Sequence, residues 1–357
     1  MNRTDVHISA QTGAQTIFDQ ITSLIAPYRE LDQLRDCLTD GLMNEHGQTT
    51  SHGHELPTAA RTWIKMKGIG LLTDLRLPIP ARAALGQVIG LLELDTRPGV
   101  GLQDDGLPNL AWCEIPAGTF LMGSDKKRDP YAYRIEIPQK QVTLGAYHIA
   151  KYLVTYAQFQ AFAEARDYFA PAWWQDFPNT AQAQDLEAQA FPYSNHPREM
   201  VTWYQAVAFC RWLTAHYRAS GMIAAYQEIR LPTEQEWEKA ARGTGGSVYP
   251  YGDDADIEQA NISETKLGQT STVGIFPDGV SPYGVHDMSG NVYEWCLTKY
   301  QTPDNHQIDA SGVARVLRGG SFFLGSEWSR GAHRYEREPD VRLNDFGFRV
   351  VLASIPV

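Results

Sequence analysis

Thiols are the first residues to weigh for chemistry, and the chain holds four: Cys37, Cys113, Cys210 and Cys296. None stands in a Cys-x-x-Cys pair or another spacing that suits a metal. Four scattered cysteines in 357 residues do not read as a disulfide framework. They point to a reduced, cytoplasmic protein, in which the sequon Asn261-Ile262-Ser263 has no role. Cys296, beside Trp295, is the one thiol near a motif, and it reads as buried. Histidine clusters once, at His46, His52 and His54 beside Glu55. Nothing periodic holds these residues at ligand spacing, so the stretch reads as a polar loop. Carboxylates gather at Glu234, Glu236 and Glu238 behind Thr233. A Thr followed three residues later by Glu is a capping box, so Glu236 reads as a cap rather than an acid catalyst.

The elements around these residues fall into two textures. From Gln15 to Leu42, Ile17, Ile21, Ile25, Leu31, Leu34 and Leu38 recur at helical spacing. Further helices are expected over Ala59 to Leu75 and Ala81 to Leu94, separated by Pro78 and Pro80. Residues 1–105 thus read as a helical N-terminal domain or adaptor, joined by a linker near 97–110 that opens with Arg97-Pro98-Gly99-Val100-Gly101. Beyond it, Trp112 to Ser124 reads as a hairpin turning at Pro116-Ala117-Gly118, and Gln141 to Ile149 as one strand. Thr155, Thr202 and Thr233 each stand where a helix N-cap belongs.

A formal net charge of −11 argues against a nucleic-acid partner, which needs clustered Lys and Arg. No apolar run approaches the roughly 20 residues of a membrane helix, and the N-terminus lacks the apolar core of a signal peptide.

Seven ordered blocks carry a resemblance. They are Ile115-Pro116-Ala117-Gly118 with Met122-Gly123-Ser124; Val154-Thr155; Val201-Thr202-Trp203; Arg230 through Glu238 with Ala241-Arg242-Gly243; Asp287-Met288-Ser289-Gly290-Asn291-Val292-Tyr293-Glu294-Trp295; Arg318-Gly319-Gly320-Ser321-Phe322; and Gly347-Phe348-Arg349-Val350. Residues 106–357 resemble the formylglycine-generating-enzyme (sulfatase-modifying factor) family. The resemblance implies an α+β, C-type-lectin-like fold. On the residues alone, Gly319-Gly320 and Gly290-Asn291 mark tight turns, and Trp237 and Trp295 read as core aromatics with paired N–H groups.

The family's enzyme binds copper through two cysteines shortly after the Gly-Gly-Ser motif. Here Leu324 stands about where the first would be, and no cysteine follows Cys296. Thiolates are what such soft-metal chemistry requires, so neither copper nor formylglycine generation is expected. A second branch makes carbon–sulfur bonds with iron held by a His-x-x-x-His-x-Glu motif; His52 and His54 have the wrong spacing for it. The family also carries calcium sites. Asn291, the backbone of Val292 and Glu294 match one, against the alternative of a plain turn. Asn261-Ile262 match the other, but Gly274 replaces its Asp.

A third branch consists of binding proteins, the variable proteins of diversity-generating retroelements, whose C-terminal segment is rewritten at asparagine codons. The ending of this chain resembles theirs. Between fixed positions lie Phe323, Leu324, Gly325, Ser329, Gly331, His333, Tyr335, Val341, Leu343 and Asn344, all reachable from a mutated asparagine codon. An apolar cluster of this kind is core or interface; as interface it would take a protein or other macromolecular ligand. Arg330, Arg334, Arg342 and Arg349 read as braces beneath it. The function expected is a non-catalytic binding protein with a diversified surface at about 322–346. The alternatives are a fixed, inactive sensor or scaffold of a bacterial signalling or defence system and, third, an enzyme of unknown chemistry. The N-terminal helices are expected to have a protein partner of their own.

Overall fold

The computed structural model describes residues 22–40, 58–178, 181 and 186–354. The His46–Glu55 cluster, and Ile17 and Ile21, lie outside them. The chain divides into two compact units, Met1–Thr96 and Arg97–Val357.

In the first unit, α1 spans Asp32–Asp40 and α2 spans Thr58–Trp63, running on through a π-helical stretch Ile64–Gly68 to Ile69–Leu71. Helix α3, Ile79–Leu91, carries Pro80 in its first turn, where a missing N–H leaves no helical bond unmade. Ile25, Leu31, Leu34, Ile64, Leu85 and Ile89 are buried, as the helical spacing requires.

The expected linker is not a linker. Thr155 Oγ1 donates to the Val100 carbonyl at 2.7 Å, Gln158 Nε2 to those of Gly99 and Asn109 at 3.1 and 2.6 Å, and Arg97 to that of Val273 at 2.9 Å. Side chains of the second unit satisfy this backbone, and the second compact unit begins at Arg97.

The second unit is α+β. Its strands are β1 (Trp112–Ile115), β2 (Gly118–Met122), β3 (Lys140–Leu144), β4 (Tyr147–Ala150), β5 (Gln227–Arg230), β6 (Tyr293–Lys299), β7 (Arg315–Arg318), β8 (Tyr335–Arg337), β9 (Phe346–Gly347) and β10 (Val351–Ser354). Three sheets result, ordered β1-β4-β10-β5, β2-β3 and β8-β7-β6-β9. The expected hairpin does not form: β1 pairs with β4 and β2 with β3. Gly118, at φ 137°, sends the chain from one sheet to the other. The expected single strand Gln141–Ile149 likewise splits, because its two halves serve different sheets.

Helices α4 (Tyr156–Ala163), α5 (Pro171–Trp174), α6 (Trp203–Ala219) and α7 (Glu234–Arg242) complete the unit. Thr155, Thr202 and Thr233 close capping boxes with Gln158, Gln205 and Glu236. The main core is aromatic and centred on α6. Phe209 stacks on Phe159 at 5.8 Å and meets Phe348 edge-on at 5.4 Å. Each such side chain contributes about 1.5–3 kcal/mol by burial, which fixes the carboxyl-terminal Gly347-Phe348-Arg349 run against α4 and α6. A second cluster joins Trp237 of α7 to Val316 of β7 and Val351 of β10.

Candidate functional site

The C-terminal segment is hung on β7 and returned by β9. Strands β6 and β7 pair antiparallel, Glu294 opposite Arg318, and β9 runs parallel to β6 with Phe346 opposite Tyr293. Between them the chain turns at Gly319 and Gly320, both at positive φ. A Cβ on Gly320 would lie 2.3 Å from Ser329 Oγ, so the turn admits no side chain there. Ser321 Oγ donates to Asp345 Oδ2 at 2.9 Å, tying the start of the segment to its end.

Four arginines brace the segment, Arg318 and Arg330 fully buried and Arg334 and Arg342 partly so. Arg318 pairs with Glu238 and donates to the carbonyls of Gly331, Ala332 and His333 at 3.1, 2.9 and 2.7 Å. Arg330 donates to Asp129 at 2.6 Å and to both oxygens of Glu136 at 2.6 and 3.0 Å. Arg334 grips Glu234 at 2.6 and 3.0 Å, and Arg342 pairs with Glu187 at 2.8 Å. The bracing expected of these residues is present. Such charge-assisted, bidentate bonds are short and directional, and they hold an otherwise irregular chain in one shape.

The ten candidate residues separate by exposure. Phe323 is 72% exposed and Leu343 43%, and Asn344 is exposed. Leu324, Gly325, Tyr335 and Val341 are half-buried; Leu324, Tyr335 and Val341 lean on the main core. Ser329, Gly331 and His333 are buried, which corrects their assignment to a ligand surface. Ser329 lies against the Gly320 turn, Gly331 against the shaft of Arg242, and His333 between rings. Burial, with Arg330 and Arg318 nearby, pushes the His333 imidazole down to about 3, so it is neutral at pH 7.

Two aromatic residues absent from the sequence-based set adjoin it. The Trp328 ring lies 5.3 Å from His333 and 5.6 Å from Tyr133, which itself stands 5.8 Å from His333. Tyr335 stacks on Tyr293 at 5.0 Å, with the Arg337 guanidinium 4.3 Å over its face. The only sequence signal for Tyr133 is a Tyr-x-Tyr pair between Lys126-Lys127-Arg128 and Arg134 in an acidic chain. What results is a cluster of packed aromatic rings, of which Tyr133 is exposed and Trp328 and Tyr335 half-buried.

Of the expected calcium ligands, Asn291 and Glu294 have their oxygens taken by protein donors. Both Glu294 oxygens accept from Arg349, at 2.6 and 2.8 Å, and Oε2 also accepts from the Trp237 indole at 2.8 Å. Asn291 Oδ1 accepts from the Ser271 N–H at 3.0 Å, while its carbonyl accepts from Phe322 N–H at 3.0 Å. Calcium takes six to eight free oxygens; these are committed to protein donors. Asn291, at φ 65°, shapes the turn instead. Cys296 is buried, and burial drives its thiol well above the ordinary range, so it is no nucleophile. Glu236 accepts the Thr233 N–H at 2.8 Å and a two-point pair from Arg230, as a cap should.

A family model described as a sulfatase-modifying factor enzyme 1-like domain matches residues 106–354. The chain belongs to that family. A 251-residue stretch is 32% identical to a Chlamydia pneumoniae protein named serine/threonine-protein kinase pkn1, covering 66% of this chain and 36% of that one. The chain therefore spans little more than a third of the kinase relatives it matches. The mouse inactive C-alpha-formylglycine-generating enzyme 2 is 28% identical over 272 residues, covering 67% of this chain and 84% of its own. In structure, the chain is similar to Treponema denticola variable protein 1, with a TM-score of 0.52 and 23% identity over 73% of this chain and all of the other. That likeness establishes the C-type-lectin-like fold expected from the resemblance. Among the described residues, no helix is long and apolar enough to cross a membrane.

Proposed function

We propose that this chain is a non-catalytic ligand-binding protein whose C-terminal surface, about residues 322–346, is diversified by a retroelement. One observation carries the reading: the segment turns Arg330 and Arg334 inward onto the buried carboxylates of Asp129, Glu136 and Glu234 and leaves Phe323, Leu343 and Asn344 outward. A surface braced in this way accepts new outward side chains without refolding, because outward substitutions away from buried networks cost little. The fold of the Treponema variable protein supports it. Leu324 at the position of the family's first copper cysteine, leaning on the core, supports the absence of catalysis, as does a relative named inactive.

The test is the DNA flanking the gene. A near-copy of the segment encoding Arg315–Val351, differing at adenines and lying beside a reverse transcriptase gene, is the expected result. Its absence removes the diversification.

A specific observation favours a second reading, a fixed scaffold or sensor domain of a signalling system: the first relatives matched are much longer proteins named kinases. The N-terminal helices would then hold a protein partner, and an open cleft of about 610 Å³ bordered by Trp63, Lys67, Leu71 and Arg76 offers a place for one.

A further inference from the structure

We infer that the loop from Lys126 to Ile135 forms a second half of the binding surface, made to take an acidic protein segment that carries an aromatic or apolar anchor. The inference rests on the reading of the C-terminal segment as a binding surface and names the chemistry of its partner.

The loop belongs to that surface because Arg330 fastens it there. Arg330 comes from the C-terminal segment, is fully buried, and reaches Asp129 near one end of the loop and Glu136 at the other. Ser124 Oγ adds a 3.0 Å bond to Asp129. The Tyr133 ring then lies against Trp328 and His333, with the Arg330 guanidinium 5.7 Å from its centre. Tyr133 of the loop and Trp328 of the segment thus adjoin, ring to ring.

This anchoring sorts the charges of the loop. Asp129 within the loop and Glu136 just past its end are buried and both held by Arg330, so neither carboxylate faces outward. Lys126, Lys127, Arg128 and Arg134 face solvent. Arg128 pairs with Asp253 at 2.8 Å, whereas among the described residues no carboxylate pairs with Lys126, Lys127 or Arg134. Between these cations stand Tyr131, 67% exposed, Tyr133, 42%, and Ile135, 44%. Exposed aromatic and apolar side chains among unpaired cations are costly for solubility unless something covers them. On a chain of net charge −11 this patch is opposite in sign to the whole. The complement is an acidic segment whose carboxylates meet the cations and whose ring or aliphatic side chain packs on Tyr133 and Trp328. A nucleic acid would need a longer cationic track, and the acidic remainder of the chain would repel its backbone.

The experiment uses the full chain and fluorescently labelled polymers: a random Glu–Tyr copolymer, a random Lys–Tyr copolymer and a single-stranded DNA oligonucleotide, titrated by polarisation at low and high salt. The expected result is salt-sensitive binding of Glu–Tyr and at least about tenfold weaker binding of the other two. The triple variant Lys126→Glu/Lys127→Glu/Arg134→Glu, and separately Tyr133→Ala, should each weaken Glu–Tyr binding about tenfold or more while melting as the parent does. Equal or tighter binding of Lys–Tyr or of DNA overturns the inference. So does Glu–Tyr binding that survives the triple reversal; if the double variant Phe323→Ala/Leu343→Ala then weakens it, the C-terminal reading stands and only the loop inference fails. Loss on the triple reversal with no effect of the Phe323/Leu343 double variant supports the loop and overturns the C-terminal reading.

Discussion

Glu294 and Arg349 face each other at zero exposure, joined by two hydrogen bonds of 2.6 and 2.8 Å, with the Trp237 indole on the same carboxylate. The pair locks β6 to the residues just before β10. Its guanidinium also reaches the Ala150, His286 and Asp287 carbonyls. Glu294→Gln leaves Arg349 buried and uncompensated, a loss of about 3–5 kcal/mol. Urea unfolding of parent and variant should show that difference. Because the same oxygens are unavailable to an ion, the melting temperature of the parent should be the same with millimolar calcium and with chelator.

Arg330→Met strips the counter-charge from Asp129 and Glu136 together. The expected cost is on the order of 3 kcal/mol, and it falls on the loop they anchor. Limited digestion with trypsin should cut after Lys126, Lys127 or Arg128 faster in the variant than in the parent. Equal cleavage rates would show that the loop is held by something else.

Exposure divides the candidate positions into tolerant and intolerant. Phe323→Ser and Asn344→Lys should change stability by less than about 0.5 kcal/mol. Gly331→Ala should cost about 1–3 kcal/mol, since its Cβ would stand 2.5 and 2.6 Å from Arg242 Cγ and Cδ. Arg242 cannot step aside, being bonded to Glu238 and to the Gly123 and Gly246 carbonyls. Thermal melts of the three single variants check the contrast.

Glu199 supplies a pH dependence. Burial pushes its carboxyl up to about 7, against the N–H groups of Phe191 and Ala190 and the charge of Arg198, which pull it down. A carboxyl with a raised native pKa binds its proton more tightly when folded. Its stabilisation is complete below the unfolded value near 4.5 and is lost as pH climbs to about 7. Glu199→Gln, whose amide oxygen can still accept both N–H bonds, has no such loss. Relative to the parent it should gain on the order of 3 kcal/mol between pH 4.5 and 7. Denaturant midpoints across that range measure it, and parallel curves would refute the assignment.

The sequence alone determined what is settled within a turn or two of chain. The caps at Thr155, Thr202 and Thr233 each need only a residue three positions on, and all three helices begin where that chemistry places them. The ordered blocks determined the family, because they survive as text, and the missing cysteines are visible as text too. Tertiary structure decided everything that pairs residues far apart. β1 and β2 are neighbours in sequence and strangers in space, since strand pairing is won by whichever partner completes a buried sheet, and the local turn has no vote in that. Ser329, Gly331 and His333 carry the same codon signature as Phe323 but lie beneath it, because a loop's inward and outward positions follow no period. The surface itself depends on Arg330 meeting Asp129, 201 residues away. No local pattern encodes that distance; only folding closes it, and only the desolvation of three buried charges makes it specific.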